Sequence, residues 1–354
     1  FENTRMDLKV KQGKLMQVPI NGAHIYIPDM GEKTLLKVQA DLNTRGQDAT
    51  AVLQASPLRD SVGETLAILQ VKGAVQGSLD IGIPFYDGAS EDIRGQVKFN
   101  NNPIYVSQPG LQLQQVTGQI RFTNDIVEGQ GITAKLYDQP IKLNFETTSR
   151  DPDYIVDINI NGDWQLDQLS SELDNPLQDF YHGKTSWQSQ LKLIFDPTGY
   201  QIRGHLASDL VGTSIDLPAP LAKRATQKMP LQVEFIGDHK QASLGITLAD
   251  KAEFWSGFDF NKQSGIDHYD LLIGRLLKPG DQLNQQQGHI QIDLAKAQLS
   301  DWLPVIHAFT EAQPVDKPES NATNHHKNIL PPLTVIDGRV SQLLLRNQQL
   351  NDAK

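Results

Sequence analysis

The side chains with which this sequence could do acid–base or metal chemistry are nine histidines and 42 aspartates and glutamates. Their spacing supports neither chemistry. No His-Glu-x-x-His pair and no two-histidine-plus-carboxylate pattern falls on an expected helix, so a metal site has no frame. His325 and His326 follow Asn324 in a polar stretch where hydration accounts for them. The acidic groups Asp151/Asp153/Asp157, Asp259/Asp267/Asp270 and Glu172/Asp174 offer the two carboxylates that a glycoside hydrolase requires. Acidic residues in turns and on the outward face of strands are, however, the ordinary solvated case. Gly-x-Ser-x-Gly, phosphate-cradling glycine loops and Gly-x-Gly-x-x-Gly after a strand do not occur. With no cysteine, thiol nucleophiles, disulfides and Cys-ligated metals are excluded as well. The reading is therefore of a non-enzyme without catalytic residues, metal or cofactor. Trp164, Trp187, Trp255 and Trp302 each lie in an apolar-patterned segment and read as core anchors before stacking platforms.

Charge narrows the partners further. Across 354 residues, 32 Lys+Arg stand against 42 Asp+Glu, for a net charge of -10, with no basic cluster. Nucleic acid is not an expected partner, because affinity for it comes mainly from clustered positive charge. No run of about 18 apolar residues is present to span a bilayer as a helix. Phe1 is not an initiator. The expectation is an excised or processed segment, with any export signal or membrane anchor outside it.

The elements that must position any site are strands. From Val71 to Phe85 the odd positions are apolar or glycine (Val71, Gly73, Val75, Gly77, Leu79, Ile81, Ile83, Phe85) and most even positions are polar. Successive strand side chains point to opposite faces, so this is a strand with one apolar and one polar face. The pattern recurs along the chain between turn signals such as Asn124-Asp125, Asp196-Pro197-Thr198-Gly199 and Asp337-Gly338. Between Leu113 and Val116 its phase slips by one residue, which predicts a β-bulge. About twenty short strands are expected. Helical spacing is confined to 60–69, 166–180 and 295–309; in the last, Leu299, Trp302, Leu303 and Ile306 form the expected stripe, with Ser300 as cap. Residues 1–310 read as one continuous β segment, 311–332 as a polar linker, and 333–354 as the start of a further segment that is cut short.

Three short helices cannot cover so many apolar strand faces, and an apolar face must be buried against something. The residues leave three solutions open: stacked β-sandwiches, a closed barrel, or an open trough covered by a ligand.

Particular residues favour the third. Ser214-Ile215-Asp216-Leu217-Pro218-Ala219-Pro220-Leu221-Ala222-Lys223, between Ala207–Gly212 and Met229-Pro230-Leu231, resembles a characteristic segment of the YhdP branch of the AsmA-like envelope proteins. Leu53–Leu58, the strand 73–83, Val116–Phe122 and Gly288–Trp302 agree in order; Ala222, where glycine is expected, departs from the pattern. The resemblance covers most of residues 25–310. It implies an all-β fold with few short helices, in which a long, curved antiparallel sheet forms an open apolar groove. It also implies a phospholipid conduit of the bridge-like lipid-transfer kind in the periplasm, held to the inner membrane by an anchor outside this segment and open to envelope protein partners. The competing expectation is a protein-docking scaffold of closed sandwiches. If acyl chains lie in the groove, the residues expected to touch them are those of the cleanest alternating strands: Val75, Leu79, Ile81, Ile120, Phe122, Leu143, Phe145, Val156, Ile158, Leu191, Leu193, Leu206, Val233 and Phe235.

Overall fold

The computed structural model describes residues 5–55, 69–107, 110–260, 266–283, 287–311, 330–346 and 348–353. They form 21 strands of one open, mostly antiparallel sheet. The stacked sandwich is not what forms. The strands run β1 (Met6–Val10), β2 (Gly13–Leu15), β3 (Val18–Ile27), β4 (Leu35–Arg45), β5 (Leu69–Val71), β6 (Ala74–Pro84), β7 (Asp92–Val106), β8 (Leu111–Thr123), β9 (Ile126–Leu136), β10 (Gln139–Arg150) and β11 (Asp153–Gln165). They continue with β12 (Tyr181–Asp196), β13 (Gly199–Ser208), β14 (Thr213–Ile215), β15 (Leu231–Asp238), β16 (Gln241–Leu248), β17 (Ala252–Asp259), β18 (Ile266–Ile273), β19 (Gly288–Gln298), β20 (Leu333–Leu345) and β21 (Gln348–Ala353). The chain divides into two compact units, the first of residues 1–136, 140–160 and 192–200, the second of residues 137–139, 161–191 and 201–354.

In the first unit, register does the organising. Directly opposed residues of antiparallel strands share a face. Ala40, Leu79, Gly95 and Phe122 form one row across β4, β6, β7 and β8, and Leu42, Gly77, Val97 and Ile120 form another on the same face. The alternate rows, such as Gln39, Asp80 and Arg94, carry the polar face. The bulge expected between Leu113 and Val116 is there: Leu113 pairs with Ile104 and Val116 with Asn102, leaving one extra residue in β8, where Gln115 has φ 53°. A second bulge in β7, at Asn101 with φ 64°, offsets it. Asn102 is buried between the two, its amide donating to Lys72 O at 2.8 Å and Ala74 O at 2.9 Å.

Helices differ from the expectation in three places. Residues 56–68, which contain most of the expected 60–69 helix, lie outside the described residues, and helix α1 (Gly46–Gln54) precedes them. Residues 166–180 form three separate 3-10 turns at Leu166–Gln168, Ser171–Leu173 and Gln178–Phe180. Local side-chain bonds there outcompete a continuous helix: Ser170 Oγ accepts from Glu172 N, Asn175 Oδ1 accepts from Leu177 N, and Pro176 has no N–H to give. Helix α2 (Leu299–Glu311) begins only where β19 ends, so Ser300 lies inside it and caps nothing. Its buried stripe is Trp302, Val305 and Phe309, while Leu303 and Ile306 are exposed. The linker lies mostly in 312–329, outside the described residues.

In the second unit β18, β19 and β20 run parallel, and β20 continues this sheet. Parallel neighbours require a crossover, and α2 is the crossover between β19 and β20. Opposite the helix, His289 ties the three strands. Its Nδ1 lies 2.7 Å from Asp270 Oδ1 and its Nε2 2.8 Å from Asp337 Oδ2. Asp270 is fully buried and Asp337 is exposed. Removing the imidazole strands the buried carboxylate. His289→Leu is expected to cost about 3–5 kcal/mol, most of it recovered in His289→Leu/Asp270→Leu. Asp337→Ala should cost about 0–1 kcal/mol. Urea midpoints of the four proteins measure this.

Candidate functional site: the apolar sheet face

The expected lining residues of the first unit gather on one face. Val75, Leu79 and Ile81 project from β6, and from β8 Phe122 joins the row of Leu79 and Ile120 the row of Gly77 on the same face. Phe145 of β10 lies over Gly129 of β9 on that face, and Leu143, two residues away, shares its side. Val156 and Ile158 of β11 alternate with Asp157, which instead reaches Lys192 at 3.1 Å; Leu193 follows Lys192 on the opposite side. Val75, Phe122 and Val156 are buried, whereas Leu79, Ile81, Ile120, Leu143, Phe145, Ile158 and Leu193 are half-buried.

Close packing on this face comes from pairing large side chains with glycines on neighbouring strands. A Cβ at Gly95 would overlap the Phe122 ring, and one at Gly129 would come within 2.5 Å of Phe145 Cε1. In the second unit the Trp187 ring likewise covers Gly162, with Trp164 edge-on to it at 5.1 Å. The large hollow of the first unit, about 720 Å³, has a mixed lining, with His24, Gln39, Asp80 and Arg94 beside Val10, Ala40 and Leu79.

In the second unit Leu191 packs over Gly204, and Leu206 and Val233 form a row with Ile246, Phe254 and Leu271. Phe235 opens the next row, with Leu244, Ser256 and Tyr269. Here the face encloses an apolar pocket of about 470 Å³. Its floor is Leu231, Leu244, Ile246, Leu248, Phe254 and Leu271; its walls are Leu169, Leu173 and Leu177 of the 3-10 turns with Leu217 and Leu221; its roof is Trp302, Val305 and Phe309 of α2. None of Leu191, Leu206, Val233 or Phe235 lines it. The alternation Leu244/Ile246/Leu248 is visible in the sequence, but the roof that turns it into a pocket is not.

Two polar devices hold the walls. Lys223 is buried, and its ammonium donates to Leu210 O and Thr213 O at 2.6 Å and to Arg224 O at 3.2 Å, fixing the loop that carries Leu217 and Leu221. Burial pushes its pKa down. Asp167, in the first 3-10 turn, accepts from Gly183 N at 2.9 Å and lies 2.9 Å from His182 Nδ1. The Gly183 and His182 bonds hold the Asp167 carboxyl below 3.8, and the Asp167 bond raises the His182 imidazole above 6.5. Among the described residues no cluster of His, Asp and Glu could hold a metal ion, and no helix is long and apolar enough to cross a membrane.

A family model described as YhdP protein matches residues 1–354. The chain belongs to the YhdP family. It is 28% identical over 239 residues to a protein of Escherichia coli (strain K12) named intermembrane phospholipid transporter YhdP, which is 67% of this chain and 19% of that protein. The chain thus spans about a fifth of that relative's length. No solved structure matches. The segment Ser214–Lys223, the most specific part of the resemblance, is the one that supplies Leu217, Leu221 and the buried ammonium to the pocket wall.

Two outcomes follow. Gly95→Ala should destabilise by about 1–3 kcal/mol through overpacking against Phe122, and by less in a Phe122→Leu background, measured as a double-mutant cycle. The Asp167–His182 tie has opposite signs at its two ends. His182, with its pKa raised, contributes fully below its unfolded value and loses that contribution as pH rises through the folded one. Asp167, with its pKa lowered, contributes above its unfolded value and loses that as pH falls through the folded one. The tie should therefore be strongest between them, which the imidazole proton shift of His182 and loss of the pH dependence in His182→Gln will check.

Proposed function

We propose that this chain is a stretch of a non-enzymatic phospholipid conduit between the inner and outer membranes of a Gram-negative envelope, in which acyl chains lie against the apolar sheet face. One observation carries the reading: apolar side chains keep in phase from strand to strand, leaving Leu79, Ile81, Val97 and Ile120 half-exposed together on one face of the first unit. An apolar surface of that kind marks a binding surface. The family membership and the name of the E. coli relative point to its occupant as phospholipid. The chain works in the periplasm, joined to the inner membrane by an anchor outside the segment and engaging envelope proteins.

The energetics suit the role. A phospholipid with about thirty acyl methylenes would lose roughly 0.8 kcal/mol for each one exposed, so crossing water bare costs on the order of 20 kcal/mol. A face of Val, Ile, Leu and Phe replaces the bilayer interior nearly evenly while the headgroup stays wet. Such a face lowers a barrier and supplies no drive.

The test is lipid extraction from the purified chain, read by mass spectrometry, together with photocrosslinking to phospholipid from positions 81 and 158. Ile81→Asp and Ile158→Asp are expected to abolish most of the load, whereas Ser78→Asp, in a polar row of the same strand as Ile81, should leave it intact. Full phospholipid load in folded Ile81→Asp and Ile158→Asp, or none in the parent chain, would overturn the reading.

A further inference from the structure

The pocket of the second unit differs from an open apolar face in being roofed, and its lining is almost wholly apolar. Its polar lining is Asn175, Tyr181, Glu253 and Tyr269. Asn175 donates to Tyr181 Oη at 2.9 Å and to Leu173 O at 3.0 Å and accepts from Leu177 N at 3.1 Å, while Glu253 accepts from Leu277 N at 2.5 Å. The Tyr269 hydroxyl is kept neutral, burial having pushed it up to about 12. The lining holds no Lys, Arg or His to pair with a phosphate. Everything else in it is aliphatic or aromatic.

Volume then selects the occupant. At about 30 Å³ for each water-sized group, 470 Å³ holds roughly sixteen methylenes. That is the size of one acyl chain and about half the apolar volume of a two-chained lipid. We propose that this roofed pocket is a single-chain station: it takes one acyl chain of a phospholipid at a time and limits the length of chain it holds, with Ile246 and Phe254 as floor and Val305 and Phe309 as roof. This rests on the conduit reading and adds to it a place where the lipid's two tails must separate. It also assigns α2 a task. The crossover helix shapes the pocket, and its buried stripe sets the height.

The absence of cysteine allows a clean probe. Leu173→Cys, on the wall turn, is labelled with acrylodan in the full chain, and saturated fatty acids of ten to twenty-two carbons are titrated as single-chain probes. Affinity is expected to tighten about fourfold per methylene up to roughly sixteen carbons and then stop rising. Ile246→Phe should move the break to shorter chains and Val305→Ala to longer ones, in proteins whose melting curves match the parent. Affinity that climbs past the break without a change of slope, or a break that neither substitution moves, would overturn the proposal. No dye response, in a chain from which phospholipid is still extracted, would overturn the pocket and leave the conduit standing. No response and no extracted lipid would overturn both.

Discussion

Register is the constraint on which the rest of the structure depends. Side chains alternate faces along a strand, so a sheet has an apolar face only if neighbouring strands are paired with their alternations in phase. A slip of one residue between β6 and β7 would send Ile93 and Val97 to the face of Asp80 and Gln76. The two bulges at Asn101 and Gln115 act on this constraint. Each inserts one residue in one strand, so that Ile104 and Leu113 pair again beyond them, and the buried Asn102 amide donates to Lys72 O and Ala74 O.

With phase fixed, the two units treat the same kind of face differently. In the first, Leu79, Ile81, Val97 and Ile120 stay half-exposed among the described residues, and bulky side chains laid over glycines pack the rows densely. In the second, a change of strand direction brings cover with it. Because β19 and β20 run parallel, the chain must recross the sheet, and the recrossing helix lays Trp302, Val305 and Phe309 over the floor of β15 to β18. The reverse side of those strands carries Asp270 and His289, a buried hydrogen-bonded pair at the place where direction changes.

The pocket wall shows how polar groups serve an apolar site. Lys223 binds no ligand; its ammonium gathers three carbonyls of one loop and so places Leu217 and Leu221. Asp167 and His182 do the same for the turns that carry Leu169 and Leu173. Both ties join groups within about fifteen residues of one another, and neither has a motif that spacing could reveal.

What could be read in advance was local. Period-two alternation identified the strands of β6, β8, β10 and β15, their apolar sides, and even the bulge before Val116, because each depends only on residues a few positions apart. Alternation says which side chains share a face of one strand. It does not say whether another element will lie over them. That is why Leu303 and Ile306 entered the expected stripe of α2 although Val305 and Phe309 are buried, and why the pocket of Leu244, Ile246 and Phe254 went unseen. By itself the sequence determined an all-β chain in which many strands have one greasy side. Tertiary structure alone decided strand direction, and with it which part of that side is roofed, because parallel pairing and cover are set by contacts between residues far apart in the chain.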